Sequence, residues 1–182
     1  MQQYQKKLGQ NFLINKNALK KIVEDLDICQ NDVVIEIGAG SGNLTEELLK
    51  KNISIIAIEK DKNLIKTLEK RFINFLTDEK NFKKLKIIQG DVREVLPEIS
   101  LNLKKYKVVG NIPYYLTNHL FYLFQQLKNP PAIIVLTIQK EVAERIVAKP
   151  PKATQLANII NLWAQPKILF NLTSKDFFPA PK

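Results

Sequence analysis

An α/β fold with a mainly parallel central sheet and helices on both faces is what this sequence predicts, on three observations. Short apolar runs of strand length alternate with segments of helical periodicity along the chain. One strand pattern, Val34 to Ile37, runs directly into a turn that carries alternating glycines and then into a helix. Later strand patterns end on acidic or polar residues, as happens where the carboxyl ends of parallel strands face a ligand.

The elements follow from pattern in order. Helical spacing over 16–26 precedes a β-branched run at 33–37, a helix over 45–51 and a second buried-strand run, Ile53 to Ile58. A helix over 62–75 leads to the polar, charged stretch 76–84, which reads as a loop. A strand over 85–89, a short turn around Val95, Leu96 and Pro97, and a strand over 106–109 come next. A helix is expected over 118–126, and Pro130 and Pro131 punctuate before a strand over 132–137 and a helix over 140–147. Pro150 and Pro151 break the chain again, followed by a helix over 154–163 and a last strand around 167–172.

At 182 residues, 45% hydrophobic and 25% charged, the chain fits one globular domain with a substantial core. No internal repeat or low-complexity segment stands out. Cys29 is the only cysteine, which leaves no intramolecular disulfide or cysteine cluster for zinc and points to a reducing cytoplasm. No apolar run is long enough to span a bilayer, and the basic, glutamine-rich start lacks the apolar core of a signal peptide, so no membrane partner is expected. A monomer is expected.

The formal net charge is +10, with lysine pairs at 6–7, 20–21, 50–51, 83–84 and 104–105. Such a surface attracts a polyanion, with nucleic acid as the leading candidate, although a lysine-rich proteome would produce the same balance.

Chemistry enters at the glycine turn. Gly38, Gly40 and Gly42 permit backbone angles and a closeness of approach that a Cβ would forbid, so a ligand can lie against bare main chain; a turn that only packs a helix tightly on a sheet is the competing reading. With Glu36 before it, the Gly-x-Gly-x-Gly spacing looks like the pocket of S-adenosylmethionine-dependent methyltransferases. Glu59 ends the next strand, roughly 20 residues on, where a carboxylate can accept from both ribose hydroxyls of an adenosine. Asp91, after Gly90 at the third strand end, is positioned to accept from an adenine amino group.

The fourth strand delivers Asn111, Ile112, Pro113 and Tyr114, which resemble the signatures of enzymes that methylate exocyclic amino groups of bases. The lone pair of an aromatic amine is delocalised into its ring. Acceptors must therefore hold its hydrogens and turn the lone pair toward the methyl group. The Asn111 side-chain oxygen and a carbonyl of Asn111 or Ile112 suit that task, Pro113 restricts the loop, and Tyr114 offers a stacking face.

Together these residues resemble the ribosomal RNA adenine dimethyltransferases. The likeness starts at Lys7 to Leu13, where it implies that Asn11 and Leu13 contact the cofactor and that residues 1–15 fold over the site. It continues through Glu36 to Gly42, Glu59, Asp91 and Asn111 to Tyr114, and ends at Phe177 to Lys182, similar to the family's Phe-x-Pro-x-Pro-Lys signature. The resemblance implies a Rossmann-like class I methyltransferase fold and S-adenosylmethionine as cofactor without a metal. It also implies that Phe178 helps Tyr114 sandwich a flipped adenine. Gln139 to Arg145 resembles the group that dimethylates adjacent adenines in small-subunit ribosomal RNA, which makes the assembling small subunit the expected partner. The large-subunit, macrolide-resistance type and a non-catalytic RNA-binding assembly or transcription factor of the same fold are the alternatives. Lys152 to Leu156 departs from the family's usual Gly-x-Leu-Ser-like segment, and the small helical carboxyl-terminal domain that the family usually carries is expected to be absent from this sequence. His119, the only histidine, is expected on a polar helix face, and Trp163 in the core.

Overall fold

A computed structural model describes residues 11–77 and 84–181. The expected motif residues at 7–10, part of the loop at 76–84, and Lys182 lie outside them.

In chain order the elements are β1 (Phe12–Leu13), α1 (Lys16–Glu24), β2 (Val33–Ile37), α2 (Asn43–Leu49), β3 (Ser54–Glu59), α3 (Lys62–Arg71), α4 (Ile73–Thr77) and β4 (Leu85–Gln89). They continue with α5 (Val92–Ser100), β5 (Tyr106–Asn111), α6 (Thr117–Gln126), β6 (Ile133–Thr137), α7 (Lys140–Val147), α8 (Gln155–Asn161) and β7 (Phe177–Phe178). Five strands form one sheet in the order β4-β3-β2-β5-β6, every pair parallel. Strand order reverses between β2 and β5. A crevice opens at such a switch point, outside the carboxyl ends of the strands.

Alternation along the strands divides the interior in two. Val34, Ile55, Ala57 and Val109 pack with α1, α2 and α3, whereas Ile35, Ile37, Ile58 and Val108 pack with α5, α6, α7 and α8. The sheet is thus buried on both faces, as the apolar runs demand. Below the sheet, buried Lys107 pairs with Asp32 at 2.8 Å and also donates to the Asp27 carbonyl.

Three expectations are corrected, and two elements were missed. The turn around Val95, Leu96 and Pro97 is the interior of α5. Asp91 caps that helix and Val92 and Leu96 are buried in the second core, so packing overrides the amide hydrogen that Pro97 lacks. The helix over 62–75 breaks at Phe72, where φ −111° and ψ 23° leave the helical range while the ring is buried. The strand around 167–172 joins no ladder among the described residues; Leu169, Phe170 and Leu172 pack on the first core instead. Two very short strands, β1 and β7, escaped the periodicity reading and pair antiparallel, Phe12 opposite Phe178 and Leu13 opposite Phe177. His119 is exposed on α6 as expected. Trp163 packs against the second core, its ring 6.4 Å from that of Phe124.

Candidate active site

The carboxyl ends of β2, β3, β4 and β5 open into a cavity of about 1030 Å³. Its wall includes Asn11, Leu13, Gly38, Gly40, Glu59, Asp91, Asn111, Ile112, Pro113 and Tyr114, so ten expected site residues from five parts of the chain converge on one space. The same wall also includes β6 and residues 166–174.

The glycine turn combines close packing with open main chain. Gly40, at φ +59°, sits under the Phe12 ring, and a Cβ there would lie 2.9 Å from Phe12 Cε1. That is packing. At Gly38, φ +70°, a Cβ would meet only the Asn111 carbonyl at 3.9 Å, which leaves bare main chain facing the cavity.

Glu59 is 8% exposed and therefore not a solvated loop charge. One carboxylate oxygen accepts from Gly40 N at 2.8 Å, the other from Lys60 N at 2.8 Å and Asp61 N at 2.9 Å. Three main-chain donors fix its plane, and a carboxylate has about four lone-pair sites, so one stays open. Asp91 is engaged more fully: Oδ1 accepts from Arg93 N and Nε, and Oδ2 from Arg93 Nη2 and Lys60 Nζ. The Arg93 guanidinium holds the Asp91 carboxyl well below the usual carboxylate range. Both partners are largely exposed, Lys60 at 61% and Arg93 at 49%, and free to swing aside for a competing donor.

Asn111 ends β5. Its Nδ2 donates to the Asn11 carbonyl at 2.7 Å, which commits the donor end of the amide to the amino-terminal segment and turns Oδ1 away from it. Ile112 is buried and its N–H bonds the Thr137 carbonyl at 3.0 Å, anchoring the loop to β6. Pro113 is extended (φ −59°, ψ 141°), and a 3₁₀ turn over Tyr114–Leu116 leads into α6. Tyr114 is half-exposed at the cavity wall.

The two aromatics of the last motif are placed differently. Adjacent strand residues point to opposite faces. Phe177 lines the cavity and packs on the first core, whereas Phe178 is 53% exposed and outside the cavity wall. Phe177 is also the first aromatic in the Phe-x-Pro-x-Pro-Lys spacing.

Several site residues were not singled out from sequence. Phe12 covers Gly40, Asn43 Nδ2 donates to the Leu13 carbonyl at 2.9 Å, and Arg71 ties the turn to α3 through the Ser41 carbonyl (2.6 Å), Asn43 Oδ1 (3.0 Å) and Glu46 (2.6 Å). Glu36 lies buried beneath the turn, 2.6 Å from Thr45 Oγ1; burial pushes its carboxyl up to about 8. Asn15 was legible as a helix cap by its place just before the periodic run of α1, and it does accept from Asn17 N and Ala18 N. Thr173 and Asp176 form a capping box whose Thr-x-x-Asp spacing is visible in the sequence.

The sequence model of the ribosomal RNA adenine dimethylase family matches residues 1–182. The chain belongs to this family. Among relatives, the ribosomal RNA small subunit methyltransferase A of Caldanaerobacter subterraneus subsp. tengcongensis is 40% identical over 183 residues, which cover 97% of this chain and 65% of that protein. The protein of the same name from Mesomycoplasma hyopneumoniae is 41% identical over 180 residues, covering 97% and 64%. The chain thus spans just under two thirds of the length of these relatives. Among solved structures, a dimethyladenosine transferase from Plasmodium falciparum matches with a TM-score of 0.79 and 28% identity over 94% of this chain and 59% of that one. The 23S rRNA methyltransferase ErmE matches in fold, with a TM-score of 0.77 at 20% identity over 94% and 66%. The fold is that of the class I methyltransferases, as the family resemblance implied. No helix among the described residues is long and apolar enough to cross a membrane.

Proposed function

We propose that this chain carries the cofactor and base sites of a small-subunit ribosomal RNA adenine dimethyltransferase, acting on the amino groups of adjacent adenines. The observation that carries the reading is Asn111. Its amide donor is spent on the Asn11 carbonyl, so its oxygen is left as an acceptor at the rim of a cavity that Glu59 and the bare face of Gly38 also line.

These residues fit S-adenosylmethionine. Glu59 keeps one open acceptor position for a ribose hydroxyl, Gly38 lets a ligand approach the main chain, and Asp91 suits the adenine amino group once Lys60 or Arg93 yields. Asn11 and Leu13, held by Asn111 and Asn43, close the site from above. When bound, the cofactor supplies an electrophilic methyl group on a sulfonium sulfur.

The chain's own residues position the nucleophile. Asn111 Oδ1 and a carbonyl of Asn111 or Ile112 accept the amino hydrogens of the target adenine and direct its lone pair at the methyl group. Pro113 fixes the loop in the extended range, and Tyr114 stacks on one face of the base, a contact worth about 1–3 kcal/mol. The second face falls to the β7 aromatics, and the cavity wall favours Phe177 over Phe178. The methylated ammonium is acidic enough to lose its proton to water, so no general base is assigned. The net charge of +10 and the names of the relatives support ribosomal RNA as the polyanion.

The test is transfer of labelled methyl from S-adenosylmethionine to unmethylated small-subunit particles, with naked large-subunit RNA and DNA alongside. Label confined to dimethyladenine in the small subunit is expected; label in large-subunit RNA would support the resistance-type reading. Asn111→Ala should lower turnover by about 100-fold or more, a loss of transition-state positioning, with a much smaller loss of cofactor affinity from the broken bond to the Asn11 carbonyl. Glu59→Ala should weaken cofactor binding in a calorimetric titration. Phe177→Ala should raise the KM for RNA more than Phe178→Ala does; the reverse order returns the stacking role to Phe178.

A further inference from the structure

Asn15 and Asp176, 161 residues apart, are joined side chain to side chain at 2.6 Å. We propose that Asp176 is a positioning residue that, through the β1–β7 ribbon, couples the cofactor pocket to the base pocket, so that each ligand strengthens binding of the other. The proposal rests on the function given above.

The geometry makes one mechanical unit of two pockets. At its front, residues 11–13 are tied to the cofactor side: the Asn11 carbonyl accepts from Asn111, the Leu13 carbonyl from Asn43, and the Phe12 ring lies on Gly40. The same residues pair with Phe177–Phe178, the aromatic strand assigned to the base. A ligand that orders residues 11–13 therefore also seats those aromatics.

A ribbon of two residues per strand is too short to hold itself together in water. Asp176 supplies what it lacks. Its main-chain carbonyl accepts from Ile14 N at 2.8 Å and Asn15 N at 3.3 Å, which extends the ladder past the last paired residues. One oxygen of its carboxylate takes the Asn15 amide, and the other takes Thr173 N at 2.6 Å and Thr173 Oγ1 at 2.9 Å. These are hydrogen bonds to an ionised acceptor, stronger than those between neutral groups. Asn15 meanwhile caps α1 through Oδ1, so the latch is anchored to a helix rather than to another loop.

The experiment measures S-adenosylhomocysteine affinity calorimetrically, with and without a saturating short single-stranded oligoadenylate. The ratio of the two dissociation constants reads the coupling, and for the wild type it should be about fivefold or more. Asp176→Ala should bring the ratio to near unity, while Asp176→Asn, which keeps an acceptor oxygen, should restore part of it. Asn15→Asp keeps the helix cap but sets a like charge against Asp176, and it should abolish the coupling as Asp176→Ala does. A merely structural role would lower melting temperature in these variants without moving the ratio. A ratio of unity in the wild type, or an unchanged ratio in folded Asp176→Ala and Asn15→Asp proteins, would overturn the latch and leave the proposed function standing. Failure of the wild type to bind S-adenosylhomocysteine at all would overturn both.

Discussion

Glu36 is the residue whose environment most contradicts its chemistry. It is 1% exposed, with Thr45 as its hydrogen-bond partner and the Glu59 charge nearby, and burial raises its carboxyl from 4.5 to about 8. Between those values the folded chain holds a proton that the unfolded chain has released, so stability falls as pH rises from about 4.5 to about 8 and levels off above. Glu36→Gln keeps an acceptor for Thr45 and removes the titration. Its unfolding free energy should exceed that of the wild type at pH 7, by on the order of 2 kcal/mol, and the two should converge near pH 5; denaturant melts across that range check this. The placement of Glu59 and Asn111 at strand ends was legible in the sequence because strand ends are visible as the close of apolar runs. The Asn15–Asp176 bond was not legible. Each residue can be recognised as a local cap, but nothing in local pattern joins positions 161 apart.

Helix α5 is where local preference and burial disagree. Pro97 removes one hydrogen bond from the helix interior, yet Val92 and Leu96, one turn apart, are buried at 5% and 0% exposure, and Asp91 closes the amino end. Packing decides the conformation and the proline remains a weakness. Pro97→Ala should therefore stabilise the protein by about 1–3 kcal/mol, seen as a higher urea midpoint with an unchanged slope. The five long strands were readable because sheets buried on both faces give unbroken apolar runs. Segment 167–172 has the same composition but no ladder beside it among the described residues, so composition alone overcalled it. Strands β1 and β7 erred the other way: two residues carry no period, and only the fold brings them together.

At the scale of the whole molecule, the excess of 28 basic over 18 acidic residues sets how a polyanion is held. If three phosphates are contacted, the logarithm of RNA affinity should fall with the logarithm of salt at a slope of about −2. Cofactor affinity, which the proposed site assigns to the buried Glu59 and to main chain, should stay nearly flat over the same titration; fluorescence anisotropy and calorimetry on one preparation separate the two. A last consequence concerns β6. It ends the sheet, and among the described residues its outer flank has no ladder partner, so the Ile133–Thr137 main chain borders the cavity with groups left over from the ladder. Such a flank is a mould in which any extended apolar peptide can set. What fills the mould decides the molecule's fate in a crowded solution: one strand from its own polypeptide would finish a sheet, whereas strands from a succession of neighbours would begin a fibre.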